Sequence, residues 1–265
     1  KDEILIDEIN HVKSKMVFCT DLFINNIMSV KDKLITNKII VTSPSDSLPL
    51  ALKSFYFLKT PKLKKSDEYL LWKDFFYEEI DKKEELEKVN DSSMCACILH
   101  TSGTTGKSKG VMLSNNAFNS MVYEYSHSGI NFEKNDRYFN QVPPFLAYNI
   151  VMATHLPLSL GMKVIMYPNY EPENFAKNIA KFKINHAIAG PADWSNFLDN
   201  QKIDVKKYNN LKTLASGSDK IGEDKKEKIK KLLGKDVIEG YGCTEGASAV
   251  VTNLPYAIRN NSLGI

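Results

Sequence analysis

Three glycines, three threonines, two serines and two lysines crowd the stretch LHTSGTTGKSKGVML (99–113) between apolar flanks. Gly103 and Gly106 would let backbone amides converge on phosphate oxygens, neighbouring hydroxyls can donate, and Lys109 supplies positive charge. The stretch also contains Gly106-Lys107-Ser108, the tail of a Walker A loop. Such a loop needs a glycine at position 101 and a helix opening at the lysine. Position 101 is threonine, and Val111-Met112-Leu113 reads as a strand before Ser114, a good helix N-cap. The loop therefore joins two strands and is read as an anion-binding loop of another kind. A P-loop NTPase and a plain turn of glycine, serine and threonine stand as alternatives.

TSGTTGKSKGVMLS resembles the phosphate-loop motif of the acyl-adenylate-forming enzymes, a superfamily of acyl-CoA synthetases, peptide-synthetase adenylation domains and luciferases. EGYGCTEG (239–246) resembles that family's aromatic-Gly-x-Thr-Glu motif, and LASGSDKIGEDKKEKI its Ser-Gly-Gly-Ala stretch. VPPFLAYN stands where the family has a Pro-x-Phe-His segment, and the order and spacing of all four follow the family. The likeness covers residues 94–265 well and the preceding residues loosely. It departs from the family at Ser108 (usually Pro), Ser218 (usually Gly), Asp219 (usually small), and Leu146 and Asn149 (often His and Gly).

The resemblance implies ATP-dependent activation of a carboxylic acid to an acyl-adenylate, followed by transfer to a thiol, with ATP and Mg²⁺ as cofactors and CoA as acceptor. The substrate carboxylate is itself the nucleophile, so the protein has to position reactants and neutralise phosphate charge. By this likeness Thr101, Ser102, Gly103, Thr104, Thr105, Gly106 and Lys109 wrap the β- and γ-phosphates, and Thr244 meets the α-phosphate. Glu245 would hold the Mg²⁺. Tyr241 stacks on adenine, with Gly217, Ser218, Asp219, Glu239, Gly240 and Gly242 completing the nucleotide site. Phe145, Leu146, Tyr148 and Gly190 line the acid pocket, and Lys109, Thr244 and Glu245 carry the catalysis. Acyl-CoA ligase is preferred to amino-acid adenylation on KGVMLS and VPPFLAYN; a non-catalytic nucleotide-binding domain is a further alternative. The chain stops ahead of the family's ribose-binding Asp, hinge and C-terminal lid with its catalytic Lys. It is therefore expected to fall short of a complete thioester-forming turnover.

The elements that must position these residues alternate in type. β-branched runs predict strands over 15–19, 38–42, 94–100, 110–113, 137–142, 163–167, 186–190, 211–216, 236–240 and 248–252. Periodic apolar residues predict helices over 21–34, 115–125, 147–160, 172–182, 193–198 and 222–233. A possible helix over 50–58 and a loop leading into a short helix before residue 77 fill the less regular stretch between 43 and 92. Repeated strand–helix units imply an α/β fold of parallel sheets with flanking helices. A partial subdomain over 1–93 and an AMP-binding core over 94–265 are expected, as in the large N-terminal domain of adenylate-forming enzymes.

The 265 residues, 43% hydrophobic, suffice for a sizeable core. The formal charge of +3 comes from scattered lysines, and Arg137 and Arg259 are the sole arginines, so nucleic acid is a poor partner. Apolar runs are too short for a membrane span. Cys19, Cys95, Cys97 and Cys243 show no metal-ligand spacing and fit a reducing, cytoplasmic compartment. Oligomeric state is not legible.

Overall fold

Tyr138, Phe139, Ala187 and Leu214 are almost wholly removed from solvent, and they sit on adjacent strands. The computed structural model describes residues 2–60, 62–80, 91–101, 109–167, 171–200, 203–259 and 261–264. These form two compact units. One holds the described residues before position 90 with Lys109 and Gly110; the other holds the rest.

In the first unit, β1 (Val17–Thr20), β2 (Ile39–Thr42) and β3 (Leu70–Leu71) form a parallel sheet in that order. Val17, Ile24, Ile27, Ile39 and Val41 make its core. Four helices accompany it: α1 (Asp2–His11), α2 (Ile24–Met28), α3 (Leu50–Lys59) and α4 (Trp72–Ile80). The first of these carries no sequence reading; none of its residues is buried, and Leu5 and Ile9 pack partly buried against the core. The helix expected over 21–34 is shorter: a 3₁₀ turn precedes α2, and another 3₁₀ turn follows at Lys31–Lys33.

The second unit opens with β4 (Cys95–Thr101) and the part of β5 (Lys109–Ser114) from Val111 on; β4 and β5 form a two-stranded sheet. Ser114 Oγ accepts from the amide of Ala117 at 3.1 Å and so caps α5 (Asn115–Ser126). A six-stranded sheet follows. It comprises β6 (Arg137–Asn140), β7 (Lys163–Met166), β8 (His186–Ala189), β9 (Thr213–Ser216), β10 (Val237–Cys243) and β11 (Ser248–Thr252), in the order β11-β10-β9-β8-β6-β7. All neighbours are parallel except β10 and β11, which form an antiparallel return that the repeated units do not announce. After β7 the chain crosses to the other side of β6, so the order reverses between β6 and β8.

One face of this sheet is covered by α7 (Phe175–Phe182), α8 (Pro191–Asp199) and α9 (Glu223–Leu233). Phe139, Ala187, Leu214 and Val237 meet Phe175, Trp194, Phe197 and Ile229 there, all 2% exposed or less. The opposite face carries Tyr138, His186, Ile188 and Ile238. α5 and the segment 147–160 form a further apolar cluster with Leu99 and Leu113 of β4 and β5. That segment is a π-helix over Asn149–His155 before α6 (Leu156–Ser159), rather than the regular helix expected. Asn140 Nδ2 donates to the Ala153 carbonyl at 3.2 Å, and Asn149 Nδ2 donates to Asn140 Oδ1 at 2.7 Å. Asn140 thus takes up a carbonyl of the helix ladder, the kind of insertion that accompanies a π-turn. Among the described residues no helix is long and apolar enough to cross a membrane.

Two polar arrangements lock the sheet. His186 is fully buried; its Nε2 donates to Asp136 at 2.9 Å and its Nδ1 accepts from Thr213 Oγ1 at 3.0 Å. Lys212 completes the cluster on Asp136 and Glu133. Glu239 of β10, 3% exposed, accepts from Lys226 at 2.7 Å and from the amide of Ile221 at 3.2 Å.

Burial pushes the His186 pKa below its ordinary value, against the opposing pull of Asp136. Unfolded, the ring takes a proton near pH 6.5; folded, it resists one. The stability this supplies is therefore complete above about pH 6.5. It declines as pH falls through that value, by at most about 1.4 kcal/mol per pH unit until the folded ring titrates. Urea unfolding at pH 7.5 and 5.5 should show this slope, and His186→Gln should flatten it. Backbone packing gives a second expectation. A Cβ at Gly242 would stand 1.8 Å from the Ser248 carbonyl oxygen, so Gly242→Ala has to push β10 and β11 apart. A loss of about 3 kcal/mol is expected, seen as a lower thermal midpoint.

Candidate functional site

In an open parallel sheet, ligands collect beyond the carboxyl ends of the strands where the order reverses, because the connections leave that point in opposite directions. A cavity of about 490 Å³ lies there, within the second unit. Its apolar wall comes from α5 and the following loop (Tyr125, Ile130, Phe132), the sheet (Tyr138, Ile188, Ile238), and Leu146, Tyr148 and Met152. The other wall is mostly backbone and small side chains: Gly190 after β8, Gly217 and Ser218 after β9, and the end of β10 from Gly240 to Thr244.

The backbone along this second wall is under conformational strain. Ser218 has φ 70°, Ala247 56° and Ser248 117°, values that favour glycine. Tyr241 keeps 54% of its surface exposed although it is a large aromatic side chain. Thr244 opens a 3₁₀ turn, Thr244–Gly246, whose carbonyl at Thr244 accepts from Ala247 at 3.0 Å. Glu245 lies exposed in that turn, with no hydrogen bond or ion pair to any described residue.

Apart from Asp193, the described side chains lining the cavity carry no charged group. Tyr138 and Tyr148 share a hydroxyl–hydroxyl bond of 3.2 Å, and burial raises both phenols. Tyr125 is raised to about 12, again chiefly by burial. Asp193 is the single acid among the described lining residues; its Oδ2 accepts from the Gly190 amide at 2.9 Å, fixing the first turn of α8.

Of the residues that the sequence nominates, Leu146, Tyr148, Gly190, Gly217, Ser218, Gly240, Tyr241, Gly242 and Thr244 line this one cavity. Phe145 does not; the residue is 71% exposed. Asp219 is exposed, and its carboxylate accepts from the Lys220 amide at 2.7 Å. Glu239 faces α9, and its carbonyl accepts from Asn253 at 2.8 Å, so neither its side chain nor its carbonyl reaches the cavity wall. Thr101 ends β4, and Lys109 opens β5 with an exposed side chain. Ser102, Gly103, Thr104, Thr105 and Gly106 lie outside the described residues. A helix opening at Lys107, which a P-loop requires, would have to run through Lys109–Ser114, and that segment is strand.

Sequence reasoning missed Gln141, Tyr125, Phe132, Tyr138, Ser216 and Ser248 as cavity residues. Tyr138 and Ser216 sit inside runs read simply as strand. Gln141, too, falls inside the run read as a strand over 137–142, directly before VPPFLAYN.

A family model described as AMP-binding enzyme matches residues 5–265. Among curated relatives, the probable 4-coumarate–CoA ligase 1 of Dictyostelium discoideum is 29% identical over 181 residues, 67% of this chain and 33% of the relative. The long-chain-fatty-acid–CoA ligase of Bacillus subtilis (strain 168) is 24% identical over 254 residues, 93% of this chain and 45% of the relative. The chain thus spans less than half the length of either. Among solved structures, the anthranilate CoA ligase AuaEII in complex with anthranoyl-AMP superposes with a TM-score of 0.82 at 18% identity, over 100% of this chain and 48% of that one. At that identity the superposition establishes the fold, which is that of the N-terminal domain of adenylate-forming enzymes. With the family model spanning nearly every residue, the chain belongs to the AMP-binding enzyme family.

Proposed function

We propose that this chain carries the nucleotide- and acid-binding portion of an ATP-dependent ligase that activates a carboxylic acid as an acyl-adenylate and passes the acyl group to a thiol, CoA in the preferred reading. The observation that carries this is a cavity with two unlike walls, one apolar and aromatic, the other built from Gly217, Ser218 and the end of β10. Both relatives named above are CoA ligases, which supports it. So does a solved ATP-bound MatB from Rhodopseudomonas palustris, with a TM-score of 0.72.

In this reading the exposed ring of Tyr241 stacks on adenine, which explains why a large aromatic is left open to solvent. Gly217 and Ser218 approach the base edge with backbone. Thr244 donates to the α-phosphate, and Thr101 to Gly106 with Lys109 hold the β- and γ-phosphates. The acid lies along Leu146, Tyr148 and Gly190. Its carboxylate oxygen forms a bond to the α-phosphorus, and the bond to pyrophosphate breaks. The protein holds the two in line and offsets the phosphate charge. Glu245 fits a Mg²⁺ ion, a hard cation that typically takes one or two protein carboxylates with phosphate oxygens, since its carboxylate is exposed and unpaired among the described residues.

Aliphatic or aryl acids are favoured over α-amino acids. An ammonium group entering the cavity meets one described acid, Asp193, which is already committed to Gly190. Carboxylate-dependent ATP–pyrophosphate exchange tests the assignment. Glu245→Gln should slow exchange about 10²-fold or more, the scale of losing an electrostatic stabiliser worth about 3–4 kcal/mol. Thr244→Ala should cost less, and Lys107→Ala least, with circular dichroism confirming that each variant is folded. Near-normal exchange in folded Glu245→Gln with inactive Lys107→Ala would overturn the reading, as would a substrate screen that returned α-amino acids alone.

A further inference from the structure

Residues paired across parallel strands point to the same face of the sheet, and successive residues along a strand point to opposite faces. Phe139, Ala187, Leu214 and Val237 are paired in a row and face α7–α9. Tyr138, His186 and Thr213 form a row on the other face, and Ile188, Ala215 and Ile238 form the next row above it. Of these six, all except His186 line the cavity. The cavity therefore continues below the carboxyl ends of the strands and runs down this face to the level of Tyr138 and Thr213. Thr213 is the first residue of β9 and Ser216 the last, so the descent is three residue steps. At about 3.3 Å each, the depth is about 10 Å.

Tyr138 closes that deep end. It stands on the sheet, Tyr148 belongs to the covering segment 147–160, and their hydroxyls meet at 3.2 Å. Beside Tyr138, His186 is fully buried and bonded to Thr213 Oγ1. Ala153, Leu160 and Met162 pack with Tyr138 in one apolar cluster, and none of the three lines the cavity. The phenol ring thus separates the cavity from an apolar region reaching toward α6 and β7. Tyr138 is wholly buried, and its ring cannot swing aside without breaking the bond between two buried hydroxyls.

We infer that Tyr138 is a specificity-determining residue that ends the acid pocket, so that the acid is a short or single-ring one and not a long-chain one. This rests on the acid-activating reading above, in which the carboxylate lies at the strand ends beside Thr244. The remainder of the acid then points down the apolar face toward Tyr138. With carbon–carbon bonds of about 1.5 Å in zigzag, an extended hexanoyl chain is about 6 Å long and a dodecanoyl chain about 14 Å. The depth admits the first and stops the second.

The test is calorimetric binding of hexanoyl-, benzoyl- and dodecanoyl-sulfamoyl-adenosine to the 265-residue chain. Burial of extra methylenes would by itself favour the dodecanoyl probe, so the reverse order is diagnostic. The tighter of the two short probes should bind about tenfold or more tightly than dodecanoyl. In Tyr138→Leu, and in Tyr138→Met, which keeps more of the buried volume, dodecanoyl should gain about tenfold relative to that short probe as its tail reaches Ala153 and Met162. A variant that only loosened the fold would weaken all probes alike, and that result overturns the proposal. Dodecanoyl binding to the unsubstituted chain as tightly as the short probes overturns it too, as does a ratio unchanged in both variants. Binding of no probe at all would instead overturn the acid-activating reading itself.

Discussion

A carbonyl oxygen, that of Ser248, occupies the place where a side chain at position 242 would begin. This close approach lets β10 and β11 run antiparallel at the edge of an otherwise parallel sheet, with a register shift between Tyr241 and Gly242. The chain reverses within a 3₁₀ turn, Thr244–Gly246, and pays for the tightness with positive φ at Ala247 and Ser248. Strain of this kind persists only where surrounding structure over-determines it. Here the over-determination comes from behind: Lys226 and the Ile221 amide hold the buried Glu239 carboxylate and tie β10 to α9 and its approach. Tyr241 and Thr244 are in consequence presented on a rigid edge.

The sheet separates two kinds of interior. On the α7–α9 side, Trp194, Phe175 and Phe197 pack edge-on with ring centroids 5.1 and 5.9 Å apart, and the Trp194 indole donates to the Ala215 carbonyl at 3.0 Å. Burying such aromatics is the main driving force available to this unit. On the opposite side the cover is looser. The π-helix, the Asn140–Asn149 pair and the buried His186 cluster hold the wall in place by hydrogen bonds, beside the apolar cluster of α5 and segment 147–160. A cavity survives there because a polar network keeps its shape without filling it.

Much of the fold was legible in the residues. The ten strand assignments fall on strands, since β-branched runs bounded by turn residues leave little else open to the chain. Ser114 caps its helix as its type and place suggest, and the strand after Lys107-Ser108 separates this loop from a P-loop. The motif-bearing half of the site was equally legible: Gly217, Ser218, Tyr241 and Thr244 are short, locally defined segments, and they reach the same cavity. Less legible were α1, none of whose residues is buried, and the π-helix, whose periodicity differs too little from 3.6 to register in apolar spacing.

The residues by themselves determined the α/β class, the strand–helix alternation and the motifs that mark the family, because each depends on neighbours within a few positions. Which face Glu239 takes, and which residues join the far wall, only the tertiary structure decided. Glu239 sits in the motif yet turns to Lys226, while Gln141, Ser216 and Ser248, scattered over the second half of the chain, meet one cavity. Parallel strands joined by long crossovers bring together residues that sequence separation keeps apart, and their register, set by packing on both faces of the sheet, exists only once the chain has folded.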